Sequence, residues 1–193
     1  LNRYDPHTGK FDVYSLVPDG DGQGVTKVLS LFEDRSGTLW VGTDTGLFEM
    51  RPNGALSGFV HDASDAASIG RGSVWAVFED SQGTLWVGTE LGGLSRLNAD
   101  RLTFSRYDTS NNAISDNHVR AIVEQSGKLW VATFNGGISI FDPTTGHSRA
   151  IVAQPLEADQ LGSNRVRALL SDQHGNIWVG SDFGLHLWHP DSQ

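Results

Sequence analysis

The sequence predicts an all-β protein, a β-propeller made of four-stranded antiparallel blades. Three observations predict this fold: one motif occurs four times, its tryptophans are regularly spaced, and short strand-like runs alternate with turn residues. The tryptophans of the motif are Trp40, Trp86, Trp130 and Trp178, which lie 46, 44 and 48 residues apart. Periods of this size are typical of blade and solenoid architectures, and blades of four strands form propellers.

The repeated motif joins two strands through a tight turn. It occurs as LFEDRSGTLWVGT at 31–43, VFEDSQGTLWVGT at 77–89, IVEQSGKLWVAT at 122–133 and LLSDQHGNIWVGS at 169–181. In three copies an Asp is placed to cap the turn, and a Gly three residues later suits a positive φ. The third copy is one residue shorter and lacks the Asp, so we expect a two-residue loop there.

Each repeat has four short β-branched or aromatic runs, bounded by Gly, Asp, Asn and Pro, which predict strands. No stretch keeps a helical period. The predicted strands divide the chain into the last two strands of one blade (1–24), three blades (25–70, 71–116 and 117–164) and the first three strands of another (165–193). If the predicted strands closed into a four-bladed ring, the residues from Leu1 to Tyr4 would have no place in it. We therefore expect a piece of a larger ring, completed by further sequence or by another copy of the chain.

Composition excludes several classes of function. The formal net charge of −9 argues against nucleic-acid binding and against binding to an anionic membrane, since both depend on a basic surface. The absence of cysteine excludes disulfides and thiolate chemistry, and no apolar run is long enough to span a bilayer. The seven histidines show no metal-ligand spacing, so neither a metal nor another cofactor is expected. The sequence starts at Leu1 in what reads as mid-strand, with no start Met and no signal peptide, so we expect it to be an excerpt of a longer protein.

The motif resembles the two-component regulator propeller repeat. The resemblance rests on a strand ending in Glu-Asp, a turn closing with Gly, the Leu/Ile-Trp-Val-Gly-Thr strand, and a following Gly-Gly or Thr-Gly-Leu. It implies a periplasmic sensor region, often with seven blades in a ring. In that family a connector domain, a membrane helix and a histidine kinase or diguanylate cyclase follow the propeller. Contact with a membrane is therefore expected only through parts of the parent protein outside this segment.

Candidate ligand-binding residues lie where the repeats differ, on loops held by the rigid strands. The loops between second and third strands and those entering first strands should open onto one face of the propeller, with three side chains just inside lining the channel. The candidates are Asp44, Trp75, Glu90, His118, Arg120, Phe134, Asn135, Arg165, Arg167, Asp182 and Phe183. Aromatic faces beside polar groups suit a polar small molecule or an oligosaccharide. The three arginines suit a carboxylate or a sulfate, unless Asp116 or other acids neutralise them.

Three functions remain open from sequence alone. The leading hypothesis is a non-enzymatic sensor module. A streptogramin-lyase-like lyase or hydrolase is the enzymatic alternative, in which Asp44, Glu90 and Asp182 would converge for acid–base work. The third is a protein-interaction scaffold. Unpaired strands at both ends also predict self-association through the open blade edges, or closure of the chain on itself.

Overall fold

The computed structural model describes residues 1–16, 27–154 and 161–189, which form five antiparallel sheets. The predicted loop at 17–25 and most of that at 153–163 lie outside these residues. The first sheet is β1 (Asn2–Asp5) and β2 (Lys10–Val13). The second is β3 (Val28–Glu33), β4 (Leu39–Thr43), β5 (Leu47–Met50) and β6 (Leu56–Phe59). The third is β7 (Val74–Glu79), β8 (Leu85–Thr89), β9 (Leu94–Leu97) and β10 (Phe104–Tyr107).

The fourth sheet is β11 (Val119–Gln125), β12 (Lys128–Thr133), β13 (Ile138–Asp142) and β14 (His147–Ile151), and the fifth is β15 (Val166–Ser171), β16 (Ile177–Ser181) and β17 (Gly184–Trp188). Within each sheet the strands pair in chain order. We number the three complete sheets as blades 1 to 3 and the three-stranded sheet as blade 4. The predicted all-β propeller fold is confirmed, and how the ring closes stays a prediction.

The turns follow the residues predicted to make them. Asp34 accepts backbone N–H groups of Ser36 and Thr38 on one carboxylate oxygen, at 2.9 and 3.0 Å, and Gly37 has a φ of 79°. In the third repeat Ser126 and Gly127 alone separate β11 from β12, with φ values of 52° and 70°. This confirms the two-residue loop, because two positive φ values give the type I′ turn that closes tight hairpins.

Three of the four repeated tryptophans pack between neighbouring sheets. Trp86 of blade 2 is 1% exposed and shares a core with Ile122, Leu129 and Phe141 of blade 3. Its ring centroid lies 5.5 Å from that of Phe141, in an edge-to-face arrangement. Trp40 packs in the same way on blade 2, and Trp130 packs on blade 4. Neighbouring blades are therefore held together mainly by burial of apolar side chains, with one tryptophan at each of these three contacts.

A hydrogen bond ties three of these tryptophans to the preceding turn. The indole Nε1 donates to the second carboxylate oxygen of the capping Asp, from Trp40 to Asp34 (2.9 Å), from Trp86 to Asp80 (2.7 Å) and from Trp178 to Asp172 (3.1 Å). One carboxylate thus caps the turn and satisfies the indole N–H. The third repeat has no Asp at this position, so its turn lacks both the carboxylate cap and the hydrogen bond from the indole to that carboxylate.

Acidification is expected to destabilise the fold between about pH 4 and about pH 2. Hydrogen bonds from Asn176 and Trp178 hold the pKa of Asp172 at about 2. Burial opposes the same shift at Asp34, but bonds from Ser36 and Trp40 outweigh it and lower that pKa too. A carboxyl group with a lowered folded pKa stabilises the fold above its unfolded pKa, and this stability is lost as the pH falls towards the folded value.

Near-ultraviolet circular dichroism against pH measures this transition. Asp172→Asn should remove part of the acid dependence while leaving a folded protein at neutral pH. A transition centred above about pH 5 in the parent chain would contradict the assignment, because unperturbed carboxyl groups are already ionised there.

Candidate functional site

The two predicted sets of loops meet at one end of the strands, which we call the loop face. In each blade, the residue just after the second strand donates its backbone N–H to the backbone carbonyl of the residue just before the first strand. The donor and acceptor pairs are Asp44–Lys27 (3.2 Å), Glu90–Ser73 (2.9 Å), Phe134–His118 (2.9 Å) and Asp182–Arg165 (3.1 Å). These four equivalent bonds place the two loops of each blade at the same end of its strands.

A β-bulge occurs at the start of each first strand. In blade 2 the pairing passes from Val74 with Thr89 to Ala76 with Gly88, so Trp75 is the extra residue. The equivalent extra residues are Leu29, Arg120 and Arg167. The first strands β3, β7, β11 and β15 lie side by side in that order. A bulge leaves its extra residue unpaired and redirects the side chain of that residue. In each blade, one side chain therefore departs from the usual alternation of side chains between the two faces of the sheet.

Aromatic rings and a guanidinium meet at the loop face between blades 2 and 3. The guanidinium carbon of Arg120 lies 4.0 Å from the ring centroid of Trp75 and 5.2 Å from that of Phe134. The ring of His118 lies 4.9 Å from that of Phe134 and 6.4 Å from that of Trp75. Cation–π attraction extends to about 6 Å, so both rings contribute to holding Arg120.

Two arginines of blade 4 also lie against the ring of Phe134. The guanidinium carbons of Arg165 and Arg167 lie 5.3 and 5.6 Å from the Phe134 centroid. Both pair with Asp182, Arg165 at 3.8 Å and Arg167 through its Nε. The hydrogen bond from Arg167 lowers the pKa of Asp182, which keeps it ionised. The acid that partly neutralises the arginines is thus Asp182, whereas Asp116 accepts backbone N–H groups of His118 and Asn135.

Eight of the eleven candidate residues therefore come together, and we call them the loop-face cluster. Its members are Trp75, Glu90, His118, Arg120, Phe134, Arg165, Arg167 and Asp182. Glu90 belongs through its charge, which acts on His118 and Arg120, while its Oε2 accepts from Ser73 Oγ at 2.9 Å.

The other three candidates lie around this cluster. Asp44 has the equivalent position in blade 1, where its Oδ1 accepts the backbone N–H of Lys27 at 3.2 Å. Asn135 is exposed beside Phe134, and its backbone N–H donates to Asp116 at 2.8 Å. Phe183 is 78% exposed beyond Asp182. Two of the three carboxylates of the enzymatic hypothesis, Glu90 and Asp182, thus belong to the same cluster as His118.

Three polar atoms of the loop-face cluster are buried without a hydrogen bond to the described residues. They are Trp75 Nε1, His118 Nε2 and Arg120 Nε. Burial, followed by the charge of Arg120, lowers the pKa of His118, so this imidazole is neutral at neutral pH. Burial, followed by the charge of Arg167, also lowers the pKa of Arg120. Unmatched buried polar groups are uncommon in folded proteins and favour a site that receives polar atoms from outside.

A second concave region, which the sequence did not predict, lies at the opposite end of the strands. This cavity of about 490 Å³ is bounded by Asp34 and Glu79 on one side and by Arg96, Asn98 and Arg101 on the other. Of its charged groups, Asp34 accepts from Trp40 Nε1 at 2.9 Å and Arg101 Nη2 binds the buried Glu49 at 2.9 Å. The unmatched polar atoms of the cluster thus distinguish the loop face from this cavity.

No cluster of three or more His, Asp, Glu or Cys side chains among the described residues is suited to hold a metal ion. Within the same residues there is no helix long and apolar enough to cross a membrane.

Known structures share the fold of this chain. The extracellular domain of a hybrid two component system from B. thetaiotaomicron matches with a TM-score of 0.80 and 22% identity, over 100% of this chain and 25% of that one. A second such domain from B. thetaiotaomicron matches with a TM-score of 0.61 and 23% identity, over 87% and 29%. A streptogramin B lyase matches with a TM-score of 0.65 and 19% identity, over 99% and 62%.

The chain thus spans about a quarter of the length of the extracellular domains that it matches. A search of curated proteins finds no match. The model for the two component regulator propeller matches residues 22–45, 68–90 and 160–183, which are the repeats of blades 1, 2 and 4. In these three segments the chain is similar to the two component regulator propeller family.

Proposed function

We propose that this chain is part of the periplasmic sensor of a two-component-type signalling protein, and that its loop face binds a polar small molecule or glycan. The repeat family supports a sensor role. The similarity to extracellular domains of hybrid two component systems supports a place outside the cytoplasm. Because the chain covers about a quarter of those domains, the signalling output belongs to the proposal as well.

The observation that carries this proposal is the difference between equivalent positions. The same bulged position holds Leu29, Trp75, Arg120 and Arg167 in the four blades, whereas the tryptophan of the repeated motif recurs in all four. Packing alone gives no reason for such variation at a position whose backbone is constant. A ligand that is not symmetric does give one, since each blade then contacts a different part of it.

The chemistry of the loop-face cluster suits a sugar-like ligand. The rings of Trp75 and Phe134 offer apolar faces for stacking, and indole N–H, imidazole and guanidinium groups can bind hydroxyls. The three unmatched polar atoms lie on adjoining side chains, so one ligand of modest size can reach them together.

Titration calorimetry against a panel of oligosaccharides tests the proposal. We expect at least one ligand to bind, and Trp75→Ala to weaken it by about tenfold or more, as for an aromatic anchor. Tyr4→Ala is the matched control, because Tyr4 is an exposed aromatic on β1 in the first sheet. Silence across the panel, or equal losses in the two variants, would contradict a site at the loop face.

A second candidate function, a lyase or hydrolase, is favoured by the state of His118. A neutral imidazole with an unmatched Nε2 has the protonation state that a general base requires. The shared fold with a streptogramin B lyase is compatible with it. Mass spectrometry of the ligand recovered after calorimetry separates the two candidates. An unchanged ligand supports the sensor, while conversion that His118→Gln abolishes establishes the enzyme.

A further inference from the structure

We infer that the ligand of the loop face carries an oxyanion, a carboxylate or a sulfate, which binds to Arg120. This inference rests on the proposed function and narrows it from polar ligands in general to acidic saccharides.

Arg120 lacks a carboxylate counterion among the described residues. Among the described residues Arg165 and Arg167 both pair with Asp182, but no carboxylate lies within ion-pair distance of Arg120. Glu90 acts on it only through its charge, and the carboxylate of Glu90 accepts its hydrogen bond from Ser73. A partly buried guanidinium without a partner is costly, and an incoming anion removes that cost.

Arg120 is held by aromatic rings. Its guanidinium lies against the rings of Trp75 and Phe134, and its buried Nε makes no hydrogen bond to the described residues. These ring contacts use none of its N–H donors. Arginine donors form a planar fork that matches two oxygens of a carboxylate or sulfate. The rings therefore position a guanidinium whose donors remain available.

The distribution of charge at the loop face also favours an anion. Three arginines and the carboxylates of Asp182, Glu90 and Asp116 lie in or beside the cluster, but of these arginines only Arg165 and Arg167 are ion-paired among the described residues. The charge of Arg167 also lowers the pKa of Arg120, which shows that the two guanidiniums repel each other. An anion bound between them relieves this repulsion.

The unmatched neutral groups define the rest of the ligand. Trp75 Nε1 is a donor, and His118 Nε2 is a donor or an acceptor according to its tautomer. Hydroxyl groups satisfy both kinds of atom. A sugar ring that bears one acidic group fits this combination of a cation, two rings and neutral polar atoms.

Calorimetry with matched acidic and neutral sugars tests the inference on the chain. The probes are digalacturonate with its neutral counterpart galactobiose, and N-acetylglucosamine 6-sulfate with N-acetylglucosamine. We expect an acidic probe to bind about tenfold or more tightly than its neutral counterpart, and to lose affinity between about 0.05 M and about 0.5 M salt. Binding of digalacturonate assigns the anion as a carboxylate, and binding of the sulfated sugar assigns it as a sulfate.

Variants connect the effect to Arg120. Arg120→Met should remove the preference for the acidic probe, and Arg120→Lys should retain part of it, because the charge remains while the planar fork is lost. Arg149→Met is the control, since Arg149 is an exposed arginine on β14. Circular dichroism checks the fold of each variant. The salt dependence of the parent chain gives a result even if Arg120→Met fails to fold.

The outcomes separate this inference from the proposed function. If neutral and acidic probes bind equally and without salt dependence, or if Arg120→Met binds the acidic probe as the parent does, the inference is overturned while a polar-ligand site stands. If no probe of the panel or of these pairs binds, both proposals fail.

Discussion

Replacing Trp86 with alanine should lower the free energy of unfolding by about 3–5 kcal/mol. The side chain is 1% exposed and packs edge-to-face on Phe141 and against Tyr107, at centroid distances of 5.5 and 5.8 Å. Truncation leaves a cavity between blades 2 and 3 and removes the donor that binds Asp80. Equilibrium denaturation in urea measures the loss.

Trp75→Ala provides the comparison within the same blade. Trp75 is half-buried, makes no hydrogen bond through Nε1, and contacts Arg120 at the loop face. We expect a loss of about 1 kcal/mol, because little of the packing between blades depends on this ring. If Trp75→Ala destabilised the chain as much as Trp86→Ala, Trp75 would be a packing residue and the cluster would lose its main aromatic surface.

Asp80→Ala should cost about 2–4 kcal/mol, the second large effect. The substitution leaves the buried indole N–H of Trp86 without an acceptor, which costs about 1–3 kcal/mol, and it removes a cap from the turn, which adds about 1 kcal/mol. Both losses follow from bonds to the two carboxylate oxygens: Trp86 Nε1 at 2.7 Å on one, and the N–H groups of Gln82 and Thr84 at 3.0 and 2.8 Å on the other.

Asp100→Ala is the matched control for the cap alone. Asp100 accepts the backbone N–H groups of Leu102 and Thr103 in an exposed turn and binds no tryptophan. Urea denaturation should show a clearly smaller loss for this variant. Equal losses in the two variants would mean that the bond to the indole contributes nothing measurable.

The sequence predicted the fold because one module repeats. Four tryptophans at nearly equal spacing, with turn residues before each, predict the strands and the way in which they pair within a sheet. The hydrogen bond from indole to Asp was missed, although its signal is visible: Asp34, Asp80 and Asp172 each precede a tryptophan by six residues. A carboxylate at that distance lies across the hairpin from the ring.

The loop-face cluster was predicted only as a set of residues. That the first strands carry β-bulges was not predicted, because a bulge depends on the register between two strands rather than on either sequence. The sequence left open whether Asp116 or other acids neutralise the three arginines. In the structure Asp182 pairs with Arg165 and Arg167, which lie in the same blade. The stacking of Arg120 on Trp75 joins residues of neighbouring blades, which local sequence patterns do not report.

The most direct test of a ligand site at the loop face is a nuclear magnetic resonance titration that follows the indole N–H signals of the six tryptophans. With a sugar that binds by calorimetry, we predict that the Trp75 signal, assigned through Trp75→Phe, shifts with the ligand concentration. The signals of Trp40 and Trp86, whose N–H groups are bound to Asp34 and Asp80, should stay in place. A bound sugar that leaves the Trp75 signal unmoved would contradict the assignment of the site.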